Sequence, residues 1–258
     1  MPRKTVEKTI NNILNLGIKV EYNKELGKNL YLKELEREYD AIFLSFGANN
    51  SSKIGVEGEN IQGVYGGNEL LENNLHPNYN NKKVIVVGGG NVAMDCARTV
   101  KRLGAKDVIV VYRRARKQMP AEDKEVEEAI KEGVEFLFQH NIVKIKGIEA
   151  VEQVELIKTE LIKKEGEERE IPVNIANSNY VVDADYVVSA VGSKVSKITY
   201  ELGLELNKWG NVIINDNYQT SNPKIFAGGD LAGIKGTVAY ASNSGKEASN
   251  GILKYFLN

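Results

Sequence analysis

The stretch VIVVGGGNVAMD, Val84 to Asp95, runs four apolar residues into three glycines and then into a helix-compatible segment. Residue types in that order can build a phosphate cradle. In a dinucleotide fingerprint the first glycine makes a tight turn, the second lets backbone amides approach a pyrophosphate, and a third small residue lets helix pack on strand. Gly88, Gly90 and Ala93 fit those places, with Gly89 between the first two. A helix starting near Asn91 and Val92 would aim its unpaired N–H groups and the positive end of its dipole at the phosphates, so binding needs no charged side chain. About 20 positions further on, a carboxylate would take the ribose hydroxyls of NAD, whereas an arginine accommodates the 2′-phosphate of NADP. Here the next strand ends VYRRARK. Arg113, Arg114, Arg116 and Lys117 follow Tyr112 with no carboxylate among them. Guanidinium groups grip phosphate bidentately, so NADP(H) is expected over NAD(H). The plainer alternative is a solvated basic helix start.

Other chemistry finds little support. Tyr79 and Lys83 have a Tyr-x-x-x-Lys spacing but precede the glycine loop, and the match is read as chance. There is no GxSxG elbow, no phosphate-binding loop ending in GK[ST] and no HExxH. His76 and His140 stand alone near expected loops. The single cysteine, Cys96, excludes an internal disulfide framework, a CxxC pair and a four-cysteine iron–sulfur cluster, and is read as a packing residue. No catalytic acid, base or nucleophile and no metal site is expected.

The elements that must position these residues can be read from periodicity. From Lys83 the order is strand (VIVV), glycine loop, helix (Val92 to Leu103), strand (VIVVY) and helix (Glu122 to Glu132), the alternation of a doubly wound parallel sheet. Before it, a helix over Thr5 to Leu16 ends at Gly17, IKVEYN is expected as a short strand, Leu32 to Tyr39 as a helix and AIFLSFGA as a buried strand. A connection rich in Gly and Asn, with one helix around Asn68 to Asn73, links them. After it, Val143 to Ile157 and Tyr180 to Val188 read as antiparallel strands, and the charged run Lys163 to Glu170 as an exposed hairpin tip. DYVVSAVG returns to a buried strand. The chain has 258 residues, 42% hydrophobic and 27% charged, with a formal net charge of −1, so nothing global favours nucleic acid or an anionic membrane. No apolar run nears the ~20 residues that span a bilayer and no signal peptide is evident, so a cytoplasmic protein is expected.

VVGGGNVAMDCARTVKRLGA, followed by VVYRRARKQMPA and EEAIKEGVEF, resembles the NADPH domain of the glutamate synthase small (beta) subunit and its relatives, NADPH-dependent FAD oxidoreductases. TSNPKIFAGGD (Thr220 to Asp230) with GTVAYASNSGKEAS resembles the closing FAD motif of the same two-dinucleotide flavoproteins. The resemblance runs from about Pro2 to the end. It implies an α/β fold in which a Rossmann-like NAD(P)-binding domain, 77–195, is inserted in a partial FAD-binding Rossmann-like domain, 1–76 and 196–258. It further implies that Gly88, Gly89, Gly90, Asn91, Val92, Ala93, Arg113, Arg114 and Gly192 hold NADPH. Gly47, Gly229, Asp230, Thr237 and Val238 would contact FAD, with Gly228 letting the backbone come close.

The chain departs from that family pattern at Phe46, at Val195 and, above all, in having no second glycine fingerprint. Roughly 150 residues, about one domain, are expected to be missing ahead of MPRKTVEKTI, together with a cysteine-rich iron–sulfur segment. On that reading the FAD half lacks its central strand and is marginal. The expected function is a module passing hydride from NADPH to FAD and electrons on to a glutamate synthase large subunit or another iron–sulfur partner. The alternative is a flavin-free NADP-binding fragment or interaction subunit without turnover.

Overall fold

A computed structural model describes residues 3–163, 170–234 and 236–257. It divides into two compact units, one of Met1–Ser45, Lys197–Asn207 and Val212–Asn258, the other of Phe46–Ser196 and Lys208–Asn211. Among the described residues no helix is long and apolar enough to cross a membrane.

The first unit opens with α1 (Arg3–Leu14), which has no buried residue. Its apolar positions recur at helical spacing, yet Ile10 and Ile13 are about half exposed. Gly17, at φ +83°, ends the turn that follows. The strand expected over 18–23 does not form. Ile18, Val20 and Tyr22 alternate as a strand should but are exposed, because no neighbouring backbone among the described residues offers a ladder, and a strand exists only through such pairing. Next come α2 (Leu32–Glu38) and β1 (Ile42–Leu44).

The chain then enters the second unit through β2 (Asn50–Ser51), β3 (Val64–Gly66) and α3 (Gly67–Asn73). The stretch 46–76, expected with the partial domain of 1–76 and 196–258, thus gives a strand to the second unit. There follow β4 (Lys83–Val87), α4 (Asn91–Arg102), β5 (Asp107–Tyr112), α5 (Asp123–Lys131) and β6 (Glu135–Phe138). Strands β7 (His140–Lys146), β8 (Gln153–Ile162), β9 (Ile171–Asn174), β10 (Tyr180–Asp183), β11 (Tyr186–Ser189) and β12 (Ser193–Lys194) complete it. Most of the expected tip at 163–170 lies outside the described residues.

Five strands form one parallel sheet in the order β3-β11-β4-β5-β6, and β10-β8-β7 with β9 form an antiparallel one. The pleat explains why VIVV is apolar throughout. Val84 and Val86 face Ala93, Met94, Ala97 and Val100 of α4, while Ile85 and Val87 face Ile142, Val154 and Leu156 of the antiparallel layer. Both faces of β4 are therefore buried, as parallel strands require. Arg98, with its side chain 13% exposed, fastens α4 to α5 through Glu125, Glu128 at 2.6 Å and Glu132 at 2.9 Å.

Back in the first unit, β13 (Ile225–Ala227) pairs parallel with β1 in the register Phe43 to Phe226. The closing helix α6 (Val238–Leu257) sets Tyr255 edge-on against Phe226. Gly251 is needed there, because a Cβ would stand 2.0 Å from the Asn217 carbonyl oxygen.

Candidate functional site

The glycine loop leaves β4 at Val87. At Gly88 φ is +146°, and a Cβ would lie 2.2 Å from the Ala190 carbonyl oxygen just after β11, so only glycine closes this turn. At Gly89 a Cβ would strike the Tyr112 ring at 2.4 Å. Gly90 differs: a Cβ there would meet nothing within 4 Å, which leaves an open flank above the start of α4. The backbone N–H groups of Gly90, Asn91 and Val92 donate to no group among the described residues. Ala93 is fully buried, and Val92 packs its side chain on the core beneath. From β4 the chain moves outward to β5 and β6, while β11 lies on the other side. The carboxyl ends of β4 and β11 therefore make the switch point at which open α/β sheets hold ligands.

The segment after β5 is stitched over this loop. The Ala121 N–H donates to the Gly89 carbonyl at 3.0 Å, the Glu122 N–H to Asn91 Oδ1 at 3.1 Å, and the Tyr112 hydroxyl to the Gln118 carbonyl at 2.8 Å. The Asn91 side-chain oxygen is thus committed within the protein, leaving its backbone N–H for a ligand. An open depression of about 600 Å³ lies against Arg116, Lys117, Met119, Pro120 and Ala121.

Geometry sorts the four cations. Arg116 pairs with Asp123, and Lys117 stands 4.0 Å from Glu170, which also accepts from Gln118 Nε2 at 2.7 Å. Among the described residues Arg113 and Arg114 carry no ion-pair partner, and the buried Arg114 Nε has no hydrogen-bond acceptor. Their backbones are pinned: the Arg113 carbonyl accepts from the Thr159 hydroxyl at 2.8 Å, and the Arg114 carbonyl from the Gln139 N–H at 3.0 Å. Sequence reasoning missed Thr159 and Gln139, since one polar residue in a strand of mixed polarity and one in a tight turn carry no motif. The open flank at Gly90, the free amides and the orphaned guanidinium nitrogen suit a phosphate-bearing nucleotide. Gly192, at φ +141°, follows β11 and gives its carbonyl to the Ser52 N–H at 2.8 Å.

In the first unit, Gly228 packs so closely that a Cβ would sit 2.9 Å from both the Phe43 ring and Ser244 Oγ. Gly229 adopts φ +61°, and its N–H donates to Ser244 Oγ at 2.9 Å. Ser244 is 1% exposed and was not singled out from sequence, where it is one serine of SNSGK. A Cβ on Gly236 would stand 3.6 Å from Asp230 Oδ1, so Asp230 lies beside the entry to α6. Thr237 caps that helix, its hydroxyl accepting from the Tyr240 N–H at 3.3 Å, and Val238 is 73% exposed in the first turn. These four expected residues therefore meet around one helix start, with an open glycine backbone before it, and fit a second phosphate-bearing ligand. Gly47, at φ +74°, belongs to the second unit.

The residues set aside from sequence are structural. Tyr79 is 1% exposed and packs edge-on against Tyr186, while Lys83 Nζ lies 3.9 Å from Asp183. The His76 and His140 rings bond the Tyr79 hydroxyl and the Phe138 carbonyl. Cys96 is 1% exposed, its thiol pushed up to about 12 by burial. A raised thiol holds little thiolate below that pH, so Cys96 should resist iodoacetamide at pH 8 in the native protein and react after denaturation. Labelling at equal rates in the two states would contradict this packing.

The profile of the pyridine nucleotide-disulphide oxidoreductase family matches residues 3–248. The glutamate synthase [NADPH] small chain of Escherichia coli is 35% identical over 261 residues, covering 93% of this chain and 55% of the relative. The NADPH-Fe(3+) oxidoreductase subunit beta of Geobacter sulfurreducens is 38% identical over 221 residues, covering 82% of this chain and 33% of the relative. The chain thus spans about half, or less, of the length of these curated relatives. Among solved structures, Mycobacterium tuberculosis FprA in complex with NADPH superposes with a TM-score of 0.82 at 18% identity, over 99% of this chain and 72% of that one, a likeness of fold.

Proposed function

This chain belongs to the pyridine nucleotide-disulphide oxidoreductase family, and on that premise we propose that it carries hydride from NADPH to FAD and hands electrons to a partner subunit, in the manner of a glutamate synthase small chain. The observation that carries the reading is the joining, at one end of the parallel sheet, of a glycine turn with helix amides and two arginines that have no partner among the described residues. The amides of Gly90, Asn91 and Val92 bind the pyrophosphate. Gly88, Gly89 and Ala93 let the loop, the Tyr112 ring and α4 close up beneath it, and Gly192 ends the neighbouring strand. Arg113 and Arg114 bind the 2′-phosphate. On the flavin side, Gly229, Asp230, Thr237 and Val238 approach FAD around the start of α6.

Bound NADPH supplies a hydride and bound FAD accepts it. The protein's own task is orientation: backbone amides and helix dipoles would hold each nucleotide at its own site, and the hydride chemistry that the cofactors would supply asks for no protein nucleophile. Two relatives are named as a small chain and a subunit beta, which supports a redox partner for this chain, an iron–sulfur protein or a glutamate synthase large subunit.

Purified chain supplied with FAD should show flavin absorbance and reduce a dye with NADPH. A colourless protein that binds NADPH without turnover would make this chain a flavin-free nucleotide-binding piece and overturn the flavoprotein assignment.

A further inference from the structure

Thr159 is 3% exposed in the middle of β8, and its hydroxyl is spent outside its own sheet, on the carbonyl of Arg113. A buried hydroxyl must be bonded, and this one holds the backbone of an exposed arginine 46 positions away. The same residue's N–H donates to the Gln139 carbonyl at 2.8 Å, and the Gln139 N–H donates to the Arg114 carbonyl. Gln139 sits at φ +55°, a left-handed conformation that turns β6 directly into β7. A further bond from Gln139 Nε2 to the Thr159 carbonyl, 3.4 Å, closes the link. Two consecutive arginine carbonyls are thereby held from the antiparallel layer, whose Leu156 and Ile157 are anchored in the core.

We propose that Thr159 is a positioning residue that selects the phosphorylated dinucleotide: by fixing the Arg113 backbone it pre-orients the arginine pair toward a 2′-phosphate. Binding a flexible arginine pair costs ordering entropy, and a backbone already held on both carbonyls reduces it. The antiparallel insert then serves cofactor selectivity as well as burying one face of the parallel sheet. This inference rests on the reading of Arg113 and Arg114 as the 2′-phosphate site.

The test is calorimetry of the full chain with NADPH and with NADH, read as the ratio of the two affinities. Thr159→Val keeps shape and removes the donor, and should lower the NADPH preference about fivefold, the scale of one hydrogen bond. Thr159→Ser keeps the donor and should restore the ratio to within about twofold. If the valine variant does not fold, Thr159→Ala reads the same quantity. A merely structural threonine would shift both nucleotides together, so an unchanged ratio in Thr159→Val alongside a lowered one in Arg113→Ala overturns the role of Thr159. An equal loss in the serine and valine variants overturns it too. An unchanged ratio in Arg113→Ala overturns the underlying assignment of the phosphate site.

Discussion

Replacing Gly88 by valine will abolish NADPH binding and lower stability by about 3–5 kcal/mol, measured by calorimetry and urea denaturation. The cost has two sources. A β-branched residue is strained at φ +146°, and its Cβ would lie 2.2 Å from the Ala190 carbonyl oxygen, forcing apart the turns after β4 and β11. Gly90→Ala is the informative contrast. Its Cβ meets nothing within 4 Å of protein, so stability should hold within about 0.5 kcal/mol. The added methyl group would nevertheless stand on the flank where the pyrophosphate is expected, so NADPH affinity should fall. An unaltered affinity in Gly90→Ala would show that the ligand does not approach there.

The second large effect is expected at the arginine pair. Removing both guanidinium groups, in Arg113→Ala/Arg114→Ala, should raise the NADPH dissociation constant about a hundredfold, since charge-assisted hydrogen bonds are worth about 1.5–3 kcal/mol each and neighbours do not add fully. NADH, which lacks the phosphate, should change far less. The affinity of the parent for NADPH should also fall more steeply with salt than that of the variant. Arg116→Ala supplies the control, because that side chain is already paired with Asp123. Equal losses of NADPH and NADH in the double variant would assign the arginines to the fold rather than to the phosphate.

Much of the second unit was legible locally. The apolar run of β4, the three glycines and the period of α4 each point to the same strand–turn–helix, and the structure places them within a residue or two of the expected bounds. Where sequence reading went astray, the missing information lay in the partner. IKVEYN has a strand's alternation but no strand beside it. Residues 64–66 look like part of a loose connection, yet β11 receives them as a parallel edge. Ser244 and Thr159 carry no signal, because one buried hydroxyl resembles any other until its acceptor or donor is known.

The sequence by itself determined that a glycine turn would stand between a buried strand and a helix, and that four cations would follow the next strand. Those features depend on backbone conformation and on residues a few positions apart. Only the tertiary structure decided which cations have an ion-pair partner among the described residues. Asp123 takes Arg116 and Glu170 draws Lys117, while Thr159 and Gln139 hold the backbone from which Arg113 and Arg114 project. Charge is a property of the residue, whereas availability depends on what the fold brings within bonding distance across tens of positions of chain.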